Sequence, residues 1–331
     1  MTINRRGIIL GAGAVALASP AVRAQAPASM KLTLNFLAGG PSAGFIYARK
    51  LGLYERSGIN LTIEEGRGSA TTAQMVATGQ SDVGYADAPA AMQVRSRGAP
   101  VKVIAPILQT NAFAIMSLEE SNIRRPQDLV GRKLAVQPGT AQTTLLNAII
   151  AATGVDRSRI ELVNIDPAAF IAALLEKRVD AILGGADFQA VQLRDRGARI
   201  SEILFRDAGV PTVGLSLIAR DDRIVRDRDL YKRFVAASLQ GWDAARKNPE
   251  AAAQAVFEGY PAGSSAQYLA QLNVNVRFLC APGSTGFGRV PDANWAQSFQ
   301  LMTEHLQLPR DKPIEDYFTN DLLPADAPSC S

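Results

Sequence analysis

The chain has 331 residues, 47% hydrophobic and 6% aromatic, enough for two lobes of ordinary size, because single cores stop growing near about 250–300 residues. Beyond residue 30 no segment has the ~18 unbroken apolar residues of a membrane span. The formal charge of +4 includes Arg5, Arg6 and Arg23 in a stretch without acids, so the chain after residue 24 carries only +1 and has little electrostatic reason to seek nucleic acid.

Arg5-Arg6, the soft apolar run to Ala21 and Val22-Arg23-Ala24 have the basic, apolar and small-residue regions of an export signal. Residues 1–24 are therefore expected to be a signal peptide cleaved after Ala24, leaving Gln25 first and placing the protein in the periplasm. The paired arginines resemble a twin-arginine signal, with Asn4 where Ser or Thr is usual and Ile8-Ile9 where Phe-Leu is. A helical membrane anchor, the alternative, would lack a stop-transfer flank.

Next, residues 31–37 form an apolar run broken by Gly39-Gly40-Pro41-Ser42, before a helical pattern of Phe45, Ala48 and Leu51, with Leu53-Tyr54 after Gly52. Residues 59–63 alternate as a strand does; Gly66-Arg67-Gly68-Ser69 follows, with Ser69 as a helix N-cap before Ala73, Met75 and Val76. Gly79 ends that helix, and residues 82–86 and 101–106 read as the third and fourth strands. Residues 112–117 are extended and leave the first lobe.

A second α/β unit opens near residue 118, with a short helix at Pro126-Gln127-Asp128-Leu129. It continues through strand 133–136, helix 141–152, strand 160–163, helix 167–177, strand 179–183 and a helix from about residue 188. Residues 212–219, again extended, read as the return crossing. After Asp229 the chain turns helical, with Phe234, Leu239, Trp242 and Ala245 in one segment and 249–257, 268–272 and 295–306 in others, expected to pack on the first lobe. The expected domains are 25–115 for the first part of lobe 1, 116–213 for lobe 2, and 214–331 for the return and C-terminal helices.

The order and spacing of Tyr47-Ala48, Gly52-Leu53-Tyr54, Gly58-Ile59, Gly79 with Asp82 and Gly84, Arg97-Gly98-Ala99-Pro100-Val101, Pro126-x-Asp128-Leu129-x-Gly131-Arg132 and Val179-Asp180-Ala181 resemble the solute-binding proteins of the taurine, nitrate and thiamine-precursor family. That resemblance implies the type II periplasmic-binding-protein fold, two α/β lobes joined by two hinge crossings. It also implies a monomer that closes over a small molecule and delivers it to an inner-membrane ABC permease with its ATPase. The implied ligands are sulfonates, small carboxylates, nitrate-like anions and thiamine pyrimidine precursors. Pyrimidine binders often carry Asp-Trp-x-Pro-Asn at the first strand end, where this chain has Asn35-Phe36-Leu37-Ala38-Gly39-Gly40, so an organic anion or zwitterion is favoured, with the pyrimidine second.

Right-handed crossovers bring the loops after successive parallel strands to one sheet edge, where free N–H groups at helix starts hold ligands. Four loops are expected there: Gly39-Gly40-Pro41-Ser42, Gly68-Ser69-Ala70, Pro138-Gly139-Thr140-Ala141-Gln142, and Gly185-Ala186-Asp187-Phe188. Gly40, Ser42, Gly68, Ser69, Ala70, Gly139, Thr140, Ala141 and Gln142 supply amides, hydroxyls and one side-chain amide, although Ser69 and Thr140 serve equally as plain N-caps. Asp87 and Asp187 end matching strands, so they approach the cleft from opposite sides and would accept from an amino group or protonated nitrogen. Tyr85, Phe45 and Phe188 would form flat walls. Gln109 and Asn111, near the first crossing, sit where the family commonly contacts ligand. Arg67 suits an anion but more commonly stays solvated.

Enzyme signatures are scarce. His305 is the only histidine and lies far in sequence from Cys280 and Cys330, so no His/Cys nucleophile pair or zinc cluster is expected. The cysteine-rich motif with which some relatives make the thiamine pyrimidine is absent, and no catalytic residue, metal or cofactor is expected. Cys280 and Cys330 are candidates for a disulfide tying the tail to the body, although Cys330 lies one residue from the end. Two readings of another kind are an exported enzyme on the same scaffold, with Asp87 or Asp187 as base, and a sensing lobe that docks on a membrane receptor.

Overall fold

The computed structural model describes residues 26–138, 140–306 and 308–330. The expected leader, residues 1–24, lies outside them, as does Gly139. In chain order the strands are β1 (Ala28–Thr33), β2 (Ile59–Glu64), β3 (Val83–Asp87), β4 (Val101–Pro106), β5 (Phe113–Leu118), β6 (Lys133–Val136), β7 (Glu161–Asn164), β8 (Ala181–Gly185), β9 (Ile200–Leu204) and β10 (Leu215–Arg220). Helices α1 (Ala43–Lys50), α2 (Leu53–Arg56), α3 (Ser69–Ala77) and α4 (Ala88–Ser96) connect the first four strands. Then α5 (Ala141–Thr153), α6 (Phe170–Leu175) and α7 (Gln189–Asp195) connect β6 to β9. After β10 come α8 (Asp221–Arg226), α9 (Arg228–Lys247), α10 (Pro249–Gly259), α11 (Ser265–Asn275) and α12 (Asp292–His305). Among the described residues no helix is long and apolar enough to cross a membrane.

Two five-stranded sheets result, ordered β2-β1-β3-β10-β4 and β7-β6-β8-β5-β9. They have one topology: β10 runs antiparallel between β3 and β4, and β5 antiparallel between β8 and β9. The central strands β3 and β8 are buried along their whole length, whereas edge strand β2 alternates buried with exposed, as its sequence pattern requires. Register fixes where the cleft lies. Leu215 stands opposite Asp87 and Phe113 opposite Gly185, so each inserted strand starts beside the C-terminal end of a central parallel strand.

That register moves both crossings from their expected places. Residues 113–118 and 215–220 are strands inside the sheets, and the chain passes between lobes just before them, through 107–112 and 205–214. Nearly continuous apolar runs make the two strands visible in the sequence, but the short connections have no pattern of their own. The crossings are stitched together: Asn111 N–H donates to Thr212 O at 2.9 Å, Gly214 N–H to Leu108 O at 3.0 Å, and Leu108 N–H to Leu215 O at 2.9 Å. Gly214 permits the approach, since a Cβ there would lie 2.8 Å from Thr110 O and 3.1 Å from Asn111 Cα.

Other departures follow from packing. Strand β1 ends at Thr33; Leu34 stays in the lobe 1 core, and residues 35–37 leave the sheet for the cleft. Strand β9 was not anticipated; four of its five residues are only partly buried, so its apolar alternation is weak. Of the C-terminal helices, α9, α10 and α11 pack on lobe 1 through α1 and the turn before it. In contrast, α12 lies against α5, with Trp295 and Met302 in a core shared with Leu145 and Ile149 of lobe 2. Residues 317–319 cover the free edge of β4, where Val103 N–H donates to Tyr317 O and Thr319 N–H to Val103 O, both at 2.9 Å.

Cys280 and Cys330 are bridged, closing a separation of 50 residues. The tail is also docked by Phe287 N–H to Pro328 O at 2.8 Å and by burial of Leu322.

Candidate functional site

A cavity opens between the sheets where the loops after the parallel strands meet, with about 810 Å³ of atom-free space including the solvent at its mouth. Lobe 1 contributes Asn35, Phe36 and Leu37 after β1, Pro41, Gly68 and Ser69 at the start of α3, and Asp87 at the end of β3. Lobe 2 contributes Gln137, Thr140, Gln142, Phe170, Leu183, Gly184, Gly185, Asp187, Phe188 and Gln189. Leu108, Ala112, Phe113 and Leu215, at the crossings and the strand starts beside them, form the back.

Ser69 is the first helical residue of α3, not its N-cap; that position falls to Gly68, whose φ of +123° turns the chain so that the next hydroxyl faces β3. Ser69 Oγ donates to Asp87 Oδ2 at 2.9 Å and accepts from Asp87 N–H at 3.1 Å. Its work is to orient a carboxylate. Thr140 does cap α5, accepting from Thr143 N–H at 3.3 Å, with its hydroxyl also donating to Gln137 O at 3.0 Å. Asp187 accepts from Asn275 Nδ2, on α11 of lobe 1.

The two carboxylates dominate the electrostatics. Asp87 and Asp187 are only 3% and 5% exposed, and among the described residues lining the cavity none is Lys, Arg or His. Burial pushes the Asp87 carboxyl up to about 7 against the pull of the Ser69 hydrogen bond, and the Asp187 charge adds to the rise. Burial pushes Asp187 up to about 6, opposed by Asn275 and by its own backbone N–H. What positive potential exists comes from backbone dipoles, since α3, α4 and α5 all begin at this edge.

Other expected contacts stand elsewhere, each for a visible reason. Phe45 and Tyr85 are fully buried, ring centroids 4.8 Å apart edge to face, with Phe45 also against Trp242. They are core beneath the site rather than its walls. Among the described residues the Tyr85 hydroxyl finds no hydrogen-bond partner, and its pKa is raised by burial first and then by Asp187 and Asp87. Gly40 is covered by Gln271, whose Oε1 accepts from Gly40 N–H at 2.9 Å, and the Ser42 hydroxyl folds back on Gly39. Ala70 packs on the core and Arg67 is exposed away from the cavity.

Gln109 and Asn111 are staples of the crossing, not cavity residues. Gln109 Nε2 donates to Gly286 O at 2.8 Å while its Oε1 accepts from Ala281 N–H at 3.0 Å. Asn111 Nδ2 donates to Val210 O at 2.8 Å and its Oδ1 accepts from Phe113 N–H at 3.2 Å. The Ala141 backbone begins α5.

Of the expected set, the cavity brings together Gly68, Ser69, Asp87, Thr140, Gln142, Asp187 and Phe188. Its apolar walls are Phe36, Phe113, Phe170 and Phe188, and Phe36 meets Phe188 across the cleft with centroids 5.6 Å apart. Phe36 and Leu37 carried a signal in the apolar run that outlasts β1. Asn275 carried none, since it lies 88 residues from its partner in a helix read only for its core face.

The profile of the family described as "NMT1/THI5 like" matches residues 41–252. A riboflavin-binding protein of Chloroflexus aurantiacus is 24% identical over 323 residues, 93% of this chain and 90% of that one. A formylaminopyrimidine-binding protein of Halalkalibacterium halodurans is 24% identical over 211 residues, 63% and 64% of the two chains. Among solved structures, the alkanesulfonate-binding protein of Xanthomonas axonopodis pv. citri bound to MOPS superposes with a TM-score of 0.70 at 17% identity, covering 90% of this chain and 100% of that one. That superposition shows a shared α/β fold.

Proposed function

The chain belongs to the NMT1/THI5-like family, and on that premise we propose that it is a periplasmic solute-binding protein for a small planar molecule bearing an amino group or basic ring nitrogen. It closes its lobes over that molecule, makes and breaks no bond, and presents it as a monomer to an ABC permease with its ATPase. Cleavage after Ala24 precedes this role. One observation carries the ligand class: Asp87 and Asp187, from opposite lobes, line one phenylalanine-walled cavity with no Lys, Arg or His among its described lining residues.

A hydrogen-bond donor satisfies such carboxylates, and an aromatic ring fits between Phe36, Phe188, Phe113 and Phe170. The formylaminopyrimidine-binding relative supports this chemistry. A sulfonate or carboxylate, favoured by the sequence, is the second reading; its support is the amide dipoles at the starts of α3 and α5, and the alkanesulfonate-binding neighbour. A zwitterion would satisfy both ends.

A thermal-shift screen of residues 25–331 against aminopyrimidines, riboflavin, taurine, alkanesulfonates and carboxylates, run at pH 8 and pH 5.5, separates these readings. A ligand at about 100 times its Kd adds about 2.7 kcal/mol, a rise of several degrees. Amino-bearing ligands need ionised acceptors, so their shift is larger at pH 8, above the values of about 7 and 6 for the two acids. A sulfonate shift that is larger at pH 5.5, with no response to any amine, would overturn the amino-ligand reading. Turnover of a bound compound would turn it toward an exported enzyme.

A further inference from the structure

The helix α11 belongs by sequence to the return half of lobe 1, and Leu272 lies in that lobe's core with Tyr268. Its other side reaches across the cleft. Asn275 Nδ2 donates to Asp187 after β8, Gln267 Nε2 to Asp195 of α7 at 3.3 Å, and Val274 packs against the lobe 2 core around Phe170 and Leu174. Phe188 belongs to the same contact: a Cβ on Gly39 would lie 3.1 Å from its ring and 2.6 Å from Gln271 Oε1.

We infer that Asn275 on α11 is the latch that holds the two lobes closed, gripping Asp187 from the opposite lobe. The grip is asymmetric in a way that suits a latch. Asn275 is fully buried and its Oδ1 has no partner among the described residues, so one amide hydrogen bond to a carboxylate carries the polar attraction at this point. Such a charge-assisted bond is about twice as strong as a neutral one. Breaking it in the closed state leaves a buried carboxylate uncompensated, whereas opening the lobes returns that carboxylate to water. Loss of Asn275 therefore favours the open arrangement more than it damages either lobe. Outside the latch, Phe36 against Phe188 closes the rim.

This inference rests on the lobe-closure reading above, but its test needs no ligand. Nitroxide labels at Glu55→Cys and Arg196→Cys, both exposed and on opposite lobes, report the interlobe distance; the two native cysteines are bridged and take no label. The expected result is one short-distance population for the otherwise unaltered chain. Asn275→Ala should add a longer-distance population, Asn275→Asp a larger one because two carboxylates then face each other, and Phe36→Ala, at the half-exposed rim, a smaller one. Asp187→Asn, which keeps an oxygen for Asn275 to donate to, should stay closed. Unchanged distances in Asn275→Ala and Asn275→Asp, whatever Phe36→Ala does, or an open distribution before any latch substitution, would overturn the inference. A chain that closes as described yet ignores every amino-bearing compound would retire the ligand reading and leave the latch standing.

Discussion

Ser69 and Asp87 show how a single hydroxyl decides the chemistry of a buried acid. Removing it in Ser69→Ala takes a hydrogen bond from a carboxylate that is only 3% exposed, so urea unfolding at pH 8 should show a loss of about 1–3 kcal/mol without ligand. An unchanged stability would mean that Asp87 is protonated there and indifferent to its partner. The pH dependence has a definite sign. Both acids titrate higher when folded, about 7 and 6, than the ordinary 3.8, so the folded chain holds more protons between about pH 4 and 7 and loses stability as pH rises through that window. The slope is at most about 1.4 kcal/mol per pH unit for each group. Surface acids such as Asp128, Asp156 and Asp222 are shifted downward by their hydrogen bonds and act at lower pH, so they do not mask it. Asp87→Asn should flatten the decline measured between pH 5 and 8; an equally steep decline in the variant would place the titrating group elsewhere.

Between elements, the tightest packing is where α1 crosses α9. A Cβ on Gly44 would lie 2.3 Å from the Trp242 ring, and one on Gly241 would lie 2.4 Å from Ala48 Cβ. Helix propensity alone says that Ala is better than Gly by about 1 kcal/mol, but overpacking costs about 1–3 kcal/mol. Chemical denaturation of Gly44→Ala should therefore give net destabilisation, and a stabilised variant would show that the helices can part cheaply. The sequence made both helices legible through their apolar spacing, yet not this contact, because a glycine inside a helical pattern reads the same whether it faces a neighbour or solvent. The same limit applies to strands. Residues of β3 and β8 announce themselves because they are buried throughout, while β9 did not, because partial burial relaxes the alternation. The site divides likewise: Ser69, Asp87, Thr140 and Asp187 were readable as loop residues at strand ends and helix starts, whereas Asn275 acts through a tertiary contact with no local trace.

At the scale of the molecule, two lobes are joined through residues 107–112 and 205–214, and the C-terminal segment is fastened to the first of these. Gln109 clamps Gly286 O and Ala281 N–H, its own N–H donates to Phe278 O at 2.8 Å, and the loop it holds is bridged to the tail through Cys280 and Cys330. The loop-entropy estimate for a closure of 50 residues is roughly 4 kcal/mol. The docked tail lowers the loss to be expected on reduction, since Phe287 N–H to Pro328 O and buried Leu322 survive it. More telling than the size of the loss is where protection falls. Hydrogen exchange in the Cys280→Ser, Cys330→Ser double variant should quicken at residues 281–289 and also at the Gln109 amide, because the carbonyl it donates to lies two residues before Cys280. Exchange that quickens in the tail alone would mean that the crossing keeps its geometry without the bridge, and that the disulfide secures an end rather than the hinge.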